Sequence, residues 1–582
     1  MKTNEFSVRH DMKKIRLFFL SLVLSSTAFA TPDAERVKWL DQGWTKSERE
    51  HWHYKSLGQA LAPVSWLKSI ERKESTTLLM DRTRLEKLGF LFEEKNKHNP
   101  DDLPIGFAVA PKGSTVQGQV GLSCSACHTS QITYQGKSIR MDGGSANFDI
   151  SDLLGEFYGS LYSTFKDKDK WNRFVSRVQK IEDISGDELN KQIASVLSTM
   201  AWNNDATNKA PGSATEPGPG RADALNRIGN FVFGQRLLES ANYHKAQAPA
   251  NYPPLWNIWK FNWVHYNASF SQPMARNILQ VLGNNGTTNF IDAAGNTVKG
   301  DARWQTSIDF FGAAKMEEGI RSLSAPKWPA DVLGSIDQAR VNNGKKLFEQ
   351  HCSSCHGAHP VRPPQNLKAE LAVVTVPISI IGTDPAHAKT YHDRQYNLSK
   401  LSGDPSPISG SDGLTFAINA IRDTAFGKLN ISKEERDKLN GFGRANQVRG
   451  LLAYKARTLE GIWATPPYLH NGSVPNMYEL LSPVAERSKK FWTGSFEFDP
   501  VKLGYVTSQS NGNYFLLDTS LVGNSNSGHE FNDGTGPGII GPKLSHTERM
   551  DLIEYLKVLD QNPPLPMPAV DIDWEWKSKG KP

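Results

Sequence analysis

Four cysteines are present, and they fall into two Cys-x-x-Cys-His strings: Cys124, Cys127 and His128 in GLSCSACHTS, and Cys352, Cys355 and His356 in GKKLFEQHCSSCHG. Two thiols one helical turn apart reach the two vinyl groups of one porphyrin, and the next histidine falls beneath the iron. Each string therefore has the spacing of a covalent c-type haem tether. A zinc ribbon would need a second cysteine pair on the same metal, and a thioredoxin-type pair has no use for the adjacent histidine. No thiol is left over for a disulfide framework. The chemistry on offer is that of two covalently bound c-type haems, with His128 and His356 as iron ligands. An iron with two protein ligands passes electrons, and one with an open face takes dioxygen or peroxide.

The second string is led in by Gly344, Leu347 and Phe348, which resemble the G-x-x-L-F of a cytochrome c N-terminal helix. Near the other end, Ser545 and Glu548 form a capping box, and Leu552, Ile553, Leu556 and Leu559 line one helix face. That helix resembles the C-terminal helix of cytochrome c, so residues 325–565 are read as a second, cytochrome c-like haem domain with a large insertion. The first haem is entered differently. LPIGFAVAPKGSTVQGQVGLSCSACH predicts short strands or loops, and QITYQGKSIRMDGGSANFD predicts a short strand running into a tight turn at Asp142, Gly143 and Gly144.

Three apolar stripes at helical spacing follow: Ile150, Leu153, Leu154, Phe157, Tyr158, Leu161, Tyr162 and Phe165; Trp171, Phe174, Val175 and Val178; Leu189, Ile193, Val196, Leu197 and Met200. A Pro/Gly-rich loop is expected over 203–220. Residues 251–270 carry seven aromatics, Tyr252, Trp256, Trp259, Phe261, Trp263, Tyr266 and Phe270. Most are read as core, with a minority relaying electrons or drying a pocket. His51 and His53 are read as surface or core histidines, and His265 as a core histidine with a ligand role as the alternative. Residues 31–324 then form the first haem domain and 566–582 a C-terminal tail. The fold class is mainly α: two cytochrome c-like haem domains with large loop-rich insertions and a few short strands.

Residues 12–30 have a basic start, an apolar run and a small-x-small end, the pattern of a secretory signal too short to span a bilayer, so residues 1–30 are read as removed on export. This points to a periplasmic or secreted protein without a membrane span. The chain holds 67 basic and 61 acidic side chains; without the five and two of its first thirty residues, 62 and 59 remain, a formal +3. No basic stripe or nucleic-acid module accompanies that charge, which excludes nucleic acid as a partner.

Longer strings carry a family resemblance. KARTLEGIWATPPYLHNGSVPNMYELL (455–481) resembles the segment after the second haem in bacterial di-haem cytochrome c peroxidases and in the methylamine dehydrogenase maturation enzyme. LPIGF, the DGG turn, YPPLW followed by PMARN, FDPVKLGY and GNSNSGHE together resemble the rubber oxygenase group of di-haem cytochromes. The resemblance implies that the first haem binds dioxygen on an open face and cleaves an unsaturated hydrophobic substrate, while the second has two protein ligands. It places Trp256 between the haems and Phe270 at the distal pocket. The sixth ligand of the second iron is expected to be His529, with His470 as the rival. A peroxidase reducing hydrogen peroxide stays open as an alternative, although no Asp or Glu occurs at residues 256–280. So does an electron-transfer cytochrome served by a small electron-donor protein.

Overall fold

The computed structural model describes residues 37–292, 295–359, 369–441, 443–508 and 514–559; the signal read at 1–30 and the tail at 566–582 lie outside them. The described chain is mainly helical, with strands in two- and three-stranded sheets. Strand Gln119–Leu122 pairs antiparallel with Phe107–Val109 and Ala62–Pro63 and leads into the helical turn Cys124–Cys127. Gly106 of LPIGF has φ +86, and a Cβ there would stand 2.2 Å from the Ala126 nitrogen. Only glycine lets this strand lie against the cysteine turn.

Past the first string the structure holds a full hairpin where one strand was expected. Thr129–Tyr134 pairs with Lys137–Asp142 through a turn at Gln135 and Gly136, both at positive φ. The expected turn at Gly143 is a second one, at the hairpin's far end. Helix Ile150–Lys166, capped by Asp149, buries Ile150, Leu153, Leu154, Phe157 and Leu161, each apolar side chain contributing about 1.5–3 kcal/mol. Tyr162, read as part of that stripe, is 57% exposed. The third helix, Gly186–Lys209, runs through the first part of the expected 203–220 loop. NNDATNK contains no breaker, so the helix stops only where Pro211 forces Ala210 into extended backbone.

In the second half, helix Gln338–His351 crosses helix His546–Val558 at Gly344, where a Cβ would stand 2.0 Å from the Asp551 carbonyl oxygen. The crossing buries Phe348 against Tyr555, with ring centroids 5.4 Å apart. The Ser545–Glu548 capping box forms, and Leu552, Ile553 and Leu556 are buried; Leu559, also buried, lies just past the helix end. The aromatic segment is irregular backbone tied to distant chain: Asn262 N–H donates to Leu371 O at 2.8 Å and Ser271 N–H to Gln447 O at 3.2 Å. One apolar core takes in residues from Leu40 to Leu559, and a second surrounds the first cysteine turn.

Candidate haem centres

Cys124, Cys127 and His128 line a cavity. Burial pushes both thiols up to about 12, so neither is a free reactive thiolate. Burial, then the Arg276 charge, pushes His128 down to about 3, which keeps the imidazole neutral, the form that ligates a metal. The DGG turn is pinned to this histidine, because Gly143 N–H donates to His128 O at 2.8 Å. Its carboxylate, Asp142, accepts from Arg49 at 2.8 Å and pairs with His53 at 2.7 Å, while Glu93 holds the other His53 nitrogen at 2.8 Å. Burial alone would lower His53, but the two carboxylates raise it to about 9. His53 is thus a core histidine, and a charged one.

The cavity walls are apolar at Leu122, Phe148, Ile228, Ile258, Phe261 and Ile320, with cations at Arg276, Lys455 and Arg457. Burial, then Arg457 and Arg276, pushes Lys455 down to about 7. Two thiols and an imidazole on one turn, apolar wall residues, and basic side chains for propionates fit a covalently tethered haem. His265 lines the cavity in left-handed backbone, φ +66, its ring 4.9 Å from that of Phe270. Phe270 is fully buried behind it and is not part of the wall. The wall also holds a carboxylate from beyond residues 256–280: Glu317, from helix Phe310–Arg321, paired with Arg276 and accepting from Asn277 at 2.9 Å.

At the second string, His356 donates from Nδ1 to Arg457 O at 2.7 Å, which leaves Nε2 free. The His529 ring faces it with centroids 6.2 Å apart, the planes inclined at 66°. Metal–imidazole bonds run about 2 Å, so two rings on opposite sides of one ion have centroids roughly 6 Å apart. His529 rides on a loop held by Arg487, whose guanidinium donates to Asn526 O, Gly528 O and His529 O at 2.6, 2.9 and 2.8 Å. Gly528 is at φ +67, and a Cβ there would stand 2.3 Å from the Ile381 oxygen. His470 is elsewhere, stacked on Tyr454 at 4.0 Å and 5.9 Å from His387.

The two strings are linked through Arg457, which lies in the KARTLEG string but is given no role by it. Its carbonyl holds His356, and its guanidinium donates to Pro254 O and Trp256 O, both at 2.9 Å. Trp256, fully buried, donates from its indole to Asp142 O at 2.9 Å, next to the glycine pinned to His128. A Cβ on Gly143 or Gly461 would stand 2.8 Å from this indole, so both glycines are required by its close packing.

Residues 453–493, which include Lys455, Arg457 and His470, match the family model described as "RoxA-like, cytochrome c-like". The chain therefore carries a RoxA-like cytochrome c domain, which implies a covalent c-type haem and accords with the rubber oxygenase resemblance. Over 568 residues it is 36% identical to "Uncharacterized protein y4iJ" of Sinorhizobium fredii, an alignment covering 91% of this chain and 94% of that one. It belongs to the family of that protein. A second S. fredii protein, "Uncharacterized protein y4iM", is 26% identical over 322 residues, 52% of this chain and 63% of that one. No helix among the described residues is long and apolar enough to cross a membrane.

Proposed function

We propose that the protein is an exported di-haem c-type cytochrome oxidoreductase that activates dioxygen at the first haem and cleaves an unsaturated hydrophobic substrate. Cys124 and Cys127 tether the first haem and Cys352 and Cys355 the second, with His128 and His356 as their first iron ligands. The observation that carries the reading is an asymmetry. The same motif borders a cavity at His128 and faces a second imidazole, 6.2 Å away, at His356. When bound, haem iron supplies dioxygen activation and one-electron exchange.

The chain's own residues do the rest. His128 is held neutral to ligate, and Arg276, Lys455 and Arg457 offset propionate charge. The apolar part of the wall receives the substrate. His529 completes the second site and keeps it closed to substrate. Arg457 holds the Trp256 loop between the two centres, with Trp256 as the electron relay. The test is the visible spectrum of reduced protein before and after dioxygen, then after hydrogen peroxide, with oxygen consumption followed on an alkene. Oxygen uptake matched to carbonyl products supports the oxygenase; response to peroxide alone makes it a peroxidase; response to neither makes it an electron-transfer cytochrome.

A further inference from the structure

The first cavity contains polar atoms that its protein neighbours do not satisfy. Glu317 is 4% exposed; Oε1 is taken by Arg276 and Asn277, while Oε2 is buried without a protein hydrogen-bond partner. Asn251 Oδ1 and both ring nitrogens of His387, 4% exposed, are in the same condition on the same wall. Buried polar atoms are nearly always hydrogen-bonded, so this wall is built to meet partners on its occupants. A tethered haem answers only some of them. Its propionates accept hydrogen bonds and suit a His387 N–H or Arg276, but the porphyrin periphery offers no donor. Glu317 Oε2 and Asn251 Oδ1 are acceptors, and they need a molecule that brings an O–H or N–H.

We infer that the substrate of this cavity is an unsaturated molecule bearing a hydroxyl group, a phenol or alkenol, whose O–H donates to Glu317 Oε2. The inference rests on the first haem lying in this cavity, and it names the substrate class of that site. Arg276 and Asn277 orient the carboxylate so that one oxygen stays turned to the guest. Arg276, Lys455 and Arg457 stand on the same wall. A bare hydrocarbon would leave this carboxylate oxygen buried and unpaired, so it binds worse. Substrate hydroxyls are discriminated more sharply than methylenes for the same reason.

The test compares 4-hydroxystilbene, which donates, with 4-methoxystilbene, which only accepts, by equilibrium fluorescence binding to haem-loaded wild type and Glu317→Gln. Gln keeps the volume and the contacts of Oε1 but turns a donor to the guest. Wild type is expected to bind the hydroxy compound about 10- to 100-fold more tightly, and Glu317→Gln to lose or invert that preference. Equal binding by wild type, or a preference that survives in Glu317→Gln, overturns the inference. Haem stain of the denatured samples is read on the same preparations. Protein without haem fails the di-haem reading, whereas haem-loaded protein without the preference fails only the hydroxyl inference.

Discussion

Replacing Arg457 with Met removes the clamp between the two centres while keeping most of the side-chain volume. The guanidinium donates to Pro254 O, Trp256 O and Thr458 O at 2.9, 2.9 and 3.0 Å. The Thr458 carbonyl is adjacent in sequence, so the loss that matters is the pair on the Trp256 loop. Hydrogen bonds to a charged group are worth about 1.5–3 kcal/mol each, or roughly 3–6 kcal/mol for two. Burial pushes the guanidinium pKa down, a sign that desolving the charge offsets part of this, which leaves roughly 2–4 kcal/mol. The reporter is the Leu255 amide, which donates to Gly143 O at 2.8 Å and exchanges when the loop opens. At about 1.4 kcal/mol per tenfold, its hydrogen exchange should accelerate roughly 30- to 1000-fold. Arg457→Lys, with one ammonium for two carbonyls, should fall between. Unchanged Leu255 protection in Arg457→Met would refute the clamp.

Trp256→Phe keeps both haems attached but slows electron exchange between them, read by stopped-flow reduction; unchanged kinetics make Trp256 ordinary packing. Gly344→Ala drives a methyl group into the Asp551 carbonyl and should cost about 1–3 kcal/mol or more, measured as a lower thermal midpoint. For pH, His53 is raised from 6.5 to about 9. Its contribution is complete below about pH 6.5 and is lost as the pH rises through about 9, up to about 3 kcal/mol in all. Melting should therefore fall between about pH 6 and 10, and His53→Gln should flatten that difference.

Signals that are local or regularly spaced are legible in the amino-acid sequence. The Cys-x-x-Cys-His strings and the capping box each lie within one turn, whereas Gly344 shows in the G-x-x-L-F string but meets Asp551 far along the chain. LPIGF and DGG are visible as strings, but their reason is tertiary: Gly106 faces Ala126, and Gly143 faces Trp256. The roles of Arg457, which sits inside the KARTLEG string, and of Arg487 and Glu317 escape a sequence reading because their partners are distant along the chain, Arg457 reaching Pro254 and Glu317 meeting Arg276, and no periodicity marks such pairs. The helix through 203–209 is hidden because its polar residues read as loop, although no breaker occurs before Pro211.

The most direct test of two unlike haems is electron paramagnetic resonance of the ferric protein, wild type against His529→Ala and His470→Ala. The account predicts one low-spin bis-histidine signal, lost in His529→Ala and kept in His470→Ala, beside a second haem signal that His529→Ala leaves alone and that shifts when cyanide is added. Loss of the low-spin signal only in His470→Ala, or two bis-histidine signals in wild type, would contradict it.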